Sequence, residues 1–93
     1  MNERKLKLAR NKLDKIDQKI FNLIKNRTNV VKHMLGLKEF KSEIVDHKRI
    51  NEILKNVKNK SIKNGVDPKT TRRIWKSMIW SYVDFQKRNF RKK

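Results

Sequence analysis

The sequence has no cysteine, one proline and two glycines among 93 residues, and nine acidic side chains against 27 lysines and arginines. Without cysteine there is no disulfide framework and no thiolate chemistry, and a chain this short without disulfides is expected in the cytoplasm. No long apolar run follows the basic start at Arg4, Lys5 and Lys7, so neither a secretory signal nor a membrane span is expected. Nothing reads as a Ser-His pair, a set of metal ligands or a glycine-rich phosphate loop, which leaves no expected metal or cofactor. Strands, internal repeats and low-complexity linkers are missing too. The length fits a single domain over residues 1–93 with a modest core, to which a dimer would add.

What is present in excess is positive charge. An apolar content of 35% suits a folded protein, whereas 39% charged residues and a net charge of +18 lie far from the globular average. Attraction to nucleic acid or to an anionic membrane would be the usual reason. The basic residues number nine in positions 1–31, eight in 32–62 and ten in 63–93, so the charge forms a blanket over the chain. Nucleic-acid binders more often gather it on one face, which makes nucleic acid the lesser reading.

The stretch from about Leu6 to Lys38 reads as one long helix. Leu6, Leu13 and Ile20 recur every seven residues, with Ala9, Ile16, Leu23 and Val30 between them, so an apolar seam runs its length. The same count places Arg27 on the seam before Met34 resumes it. A cation there needs a counter-charge, and no acidic residue sits one turn away on that stripe. Arg10 and Lys38 share another seven-residue position and are 28 residues apart, roughly 42 Å along a helix. They cannot hold one small ligand from the same chain. Arg27 and Lys38, 11 residues or roughly 16 Å apart, can converge on one small anion, and Arg10 of an antiparallel second chain could join them.

Gly36 is expected to loosen the last turns of this helix. After a connection over 39–45, a second helix is expected at 46–63 with Asp46 as N-cap and Ile50, Ile53, Leu54, Val57 and Ile62 as its apolar face. Asn64-Gly65 closes it, and Asp67-Pro68 opens a third helix over about 68–90 that frays into a basic tail, 87–93. On that helix Trp75, Ile79, Tyr82 and Gln86 follow at steps of four, three and four residues. Gln86 therefore either reaches water at the helix end or needs partners for its amide.

Leu8-Ala9-Arg10, Leu13-Asp14, Ile16-Asp17, Ile20, Leu23 and Arg27, followed by Lys38, Asp46, Arg49, Gly65 and Gln86, resemble the all-helical, type II chorismate mutase family from about Leu6 to Phe90. The resemblance implies an all-α fold of three helices with a long first helix, an intertwined homodimer, and two active sites that each borrow an arginine from the other chain. It also implies that Arg27 and Lys38 of one chain and Arg10 of the other bind the carboxylates of chorismate, with Arg49 beside them. Lys38 and Gln86, the catalytic pair, would donate hydrogen bonds to the ether oxygen, and Asp46 would meet the ring hydroxyl. Ile50 and Tyr82 complete the substrate-binding set. The rearrangement of chorismate to prephenate is pericyclic and needs no nucleophile, metal or cofactor. A protein can restrain the substrate in its reactive geometry and place fixed donors where negative charge grows.

Two positions depart from the mutase pattern. Ile50 stands where Glu or Gln usually follows the second-helix arginine, and Tyr82 replaces a small polar residue four positions before the glutamine. Both changes are shared with the isochorismate pyruvate lyases of salicylate and siderophore biosynthesis, which resemble this chain without gaps from Arg10 to Gln86. Family size and the retained Asp46 favour the mutase, with the lyase as the alternative. A small basic helical module binding nucleic acid is the reading from a different class; the length of the first helix and Arg27 on its seam speak against it.

Overall fold

Asn2 begins the first helix in the computed structural model, which describes residues 2–91: its side-chain oxygen accepts from the Lys5 amide at 3.1 Å, and Glu3 adds an acid to the first turn. From there the order is α1 (Glu3–Leu37), a short 3-10 turn (Lys41–Glu43), α2 (His47–Lys63) and α3 (Pro68–Asn89), with no strand among the described residues. The chain divides into two compact units, Met1–His33 and Met34–Lys93.

The first unit consists of α1 as far as His33. Lysine is its commonest residue and leucine recurs along it, and both lose little rotamer freedom in a helix. No α1 residue is buried, and Leu13, Ile16, Ile20 and Leu23 are 50–65% exposed. The apolar seam expected from the sequence exists as a stripe on a helix, uncovered in the single chain. Gly36 does not interrupt the helix, which continues to Leu37.

The second unit has its own small core of Ile44, Ile50, Ile79 and Val83, built where α2 packs on α3. Each such side chain contributes roughly 1.5–3 kcal/mol when buried. Both helices start on aspartates. Asp46 Oδ1 accepts from the Arg49 amide at 3.0 Å, so α2 begins one residue later than expected, at His47. Asp67 Oδ2 accepts from the Thr70 amide at 3.1 Å and the Thr70 hydroxyl at 2.7 Å, ahead of Pro68 in the first turn. The Thr70 hydroxyl is the main reason the Asp67 carboxyl is held below the ordinary 3.8. Between the helices Gly65 adopts φ 68°, the left-handed conformation that ends α2.

Two details of α2 and α3 differ from the sequence reading. Ile62 is 62% exposed, and the adjacent Ser61 is buried instead. The Ser61 hydroxyl bonds the Val57 carbonyl at 2.7 Å and the Thr71 hydroxyl at 2.6 Å, tying α2 to α3 beside the turn. At the other end α3 stays helical through Asn89, so the basic tail does not fray at Lys87; residues 92 and 93 of that tail lie outside the described residues.

Candidate functional site

The α3 stripe of Trp75, Ile79, Tyr82 and Gln86 turns an amide into the second unit. Gln86 is only 8% exposed. Its Nε2 donates to the Tyr82 carbonyl one turn back at 3.2 Å, and its Oε1 accepts from Lys38 Nζ at 2.7 Å. The second bond is short and charge-assisted, the type worth about 1.5–3 kcal/mol, toward the lower end here because Lys38 keeps some water contact. Of the two expected alternatives for Gln86, the partnered one holds.

Lys38 is delivered to this point by the end of α1 and the turn after it. Its own amide donates to the Leu35 carbonyl at 3.2 Å. The next two amides, of Glu39 and Phe40, donate to Glu43 Oε2 at 2.7 and 2.9 Å. One carboxylate thus fixes the backbone that follows Lys38, a role the sequence reading missed. The acid three residues beyond Phe40 was the available signal.

The other predicted residues of this unit are less engaged. Ile50 is buried and Tyr82 half-buried. Asp46 is exposed, with Oδ1 occupied by its capping bond. Arg49 is exposed and lies 3.6 Å from Glu52, a surface pair that leaves the guanidinium able to move. Arg10 and Arg27 belong to the first unit, where Arg10 is exposed and Arg27 half-buried. The structure therefore joins Lys38, Tyr82 and Gln86 directly.

A groove of about 390 Å³ also runs along α2 and α3, lined by Arg49, Ile53, Val57, Ser61, Thr71 and Trp75 among others. Arg49 is the sole predicted site residue on it. Its lining mixes Ile53, Val57, Val66 and Trp75 with Asn56, Lys60, Asn64 and the Ser61–Thr71 hydroxyl pair, so it can accept an apolar body with polar edges. Among the described residues no three His, Cys, Asp or Glu side chains are placed to hold a metal ion, and no helix is long and apolar enough to cross a membrane. The resulting chemistry is that of cations and a neutral amide on helices, suited to holding an anion and donating hydrogen bonds.

The chain matches the family described as chorismate mutase type II over residues 9–87. No curated protein and no solved structure matches it at a significant level.

Proposed function

Because the chain belongs to the chorismate mutase type II family, we propose that it rearranges chorismate to prephenate. The observation that carries this reading is the Lys38–Gln86 hydrogen bond at 2.7 Å, which sets an ammonium and a buried amide side by side as donors. In the rearrangement the ether carbon-oxygen bond breaks while the enolpyruvyl methylene bonds to the ring, and no atom is gained or lost. Negative charge grows on the ether oxygen. Lys38 has three N–H groups and Gln86 two, of which Tyr82 takes one, so each side chain can direct a donor at that oxygen. Donors of this kind act mainly on the transition state, and removing one typically lowers turnover by roughly 10²–10³.

The substrate carboxylates are met by Arg27, Lys38, Arg49 and Arg10 of the partner subunit, and Asp46 takes the ring hydroxyl. The exposed stripe of Leu13, Ile16, Ile20 and Leu23 on α1 supports a homodimer. Covering each of these side chains with a second copy would contribute roughly 1.5–3 kcal/mol at full burial. The separation of 28 residues between Arg10 and Lys38 supports sharing of each site by two chains.

A second reading, isochorismate pyruvate lyase, is favoured by the burial of Ile50 beside Arg49. An aliphatic side chain there offers the ring hydroxyl no hydrogen bond. In that reaction a ring hydrogen passes to the enolpyruvyl methylene as the ether bond breaks, giving pyruvate and salicylate. The purified protein should be incubated separately with chorismate and isochorismate, and the products followed by chromatography. Prephenate from chorismate supports the mutase, and salicylate with pyruvate from isochorismate alone replaces it with the lyase. Neither product would remove both.

A further inference from the structure

A dianionic substrate does not account for a net charge of +18. On α3 the charge is organised. The helix carries Lys69, Arg72, Arg73, Lys76, Lys87 and Arg88 against one acid, Asp84. Lys69, Arg73, Lys76, Trp80 and Lys87 follow at steps of four, three, four and seven residues, which puts them within roughly 60° of one another around the helix. The stripe is roughly 27 Å long at the rise of an α-helix. It lies roughly 80° around the helix from the mean direction of the buried Ile79, Val83 and Gln86, and all five of its residues are exposed.

Three further features mark this face. Asp84 pairs with Arg88 at 2.8 Å and Asp67 bonds Thr70, and Arg73 of the stripe adds only the smallest of the pulls on the Asp67 carboxyl. In mid-stripe the Trp80 indole is 39% exposed between cations. The His47 ring of α2 stands beside it, with centroids 6.4 Å apart and planes tilted by 53°. Cations in a line with an aromatic surface among them suit a flexible phosphate backbone whose bases can stack. An anionic membrane would need a continuous apolar face beside the cations, and here a single indole interrupts the charge. We infer that the exposed flank of α3 that carries Arg73, Lys76 and Trp80 binds single-stranded nucleic acid, with phosphates along the cations and a base on the indole.

The test is the fluorescence anisotropy of a labelled, mixed-sequence DNA single strand of roughly 15 nucleotides, titrated with the full chain at several salt concentrations. Saturable binding that weakens steeply with salt is expected. The double variant R73Q/K76Q should reduce the slope of log Kd against log salt by roughly 1.4. Trp80→Ala should weaken binding roughly tenfold while Trp80→Phe retains most of it, because a phenyl ring still stacks. Turnover of chorismate and isochorismate should be unchanged in all three, so loss of the enzymatic reading and loss of this one are separately visible. The inference is overturned by no saturable binding, by a slope the double variant does not alter, or by full affinity in Trp80→Ala. Equal affinity for a duplex of the same length would remove the stacking. Tighter binding to phosphatidylserine vesicles, or equal competition by polyglutamate, would assign the face to a membrane or an acidic protein.

Discussion

The two units of this chain use apolar residues in opposite ways. In Met34–Lys93 the aliphatic side chains Ile44, Ile50, Ile79 and Val83 are covered by the unit's own helices. In Met1–His33 a comparable number of aliphatic residues stands on one helix with nothing buried. The same seven-residue and four-three spacings produce both outcomes, so periodicity tells which residues share a face and leaves open what will cover it. A turn as tight as Asn64-Gly65 brings α3 back onto α2; α1 has no such return within its unit.

The sharpest separation of the units is kinetic. Lys38→Ala or Gln86→Leu in the second unit should lower turnover by roughly 10²–10³ while circular dichroism and sedimentation stay as in the wild type. A loss confined to KM would show instead that the pair only binds substrate. Next in size is stability. Ile79→Ala should lower the unfolding free energy by about 2–5 kcal/mol. Leu23→Ala in the first unit should lower Tm mainly at low protein concentration, because its loss weakens association. A concentration-independent Tm in Leu23→Ala would mean that the stripe is not covered by another copy.

A mixing experiment addresses both units together. Chains carrying Arg10→Ala and chains carrying Lys38→Ala, each inactive alone, should recover roughly a quarter of wild-type specific activity when dimers exchange statistically. No recovery despite proven exchange would confine each site to one chain. The smallest expected effect concerns the start of α3. The Asp67 carboxyl is held below its ordinary 3.8 in the folded state, so its contribution to stability is present above that value and fades as pH falls through the lower folded one. Asp67→Ala should therefore melt below the wild type at neutral pH, and the two melting temperatures should converge in strong acid. A gap that persists there would place the effect elsewhere.

Local chemistry was the legible part of the fold. Asp46, Asp67-Pro68 and Gly65 act on amides within three residues of themselves, and their roles follow from residue type alone. The spacing of Gln86 likewise placed it on an apolar stripe. Its partner Lys38, 48 residues away, was expected in the same site through the family resemblance, while their contact depends on how the second unit closes. Ser61 was passed over for Ile62 because hydropathy outranks geometry in a sequence reading; four residues after Val57 and facing Thr71, a hydroxyl satisfies the buried position. The Glu43 turn was missed because an undivided loop hid the signal of an acid three residues beyond Phe40, whose carboxylate reaches back to the Glu39 and Phe40 amides.

The Ser61–Thr71 clasp also bears on the order in which the chain assembles. Its two hydroxyls are separated by ten residues, and a loop of that length closes in roughly 10–100 ns. The α2–α3 hairpin can therefore form early and at a rate indifferent to dilution. Any cover that another molecule provides for the α1 stripe must arrive by diffusion. Refolding after a denaturant jump should then divide into a fast first-order phase and a later one that quickens with protein concentration.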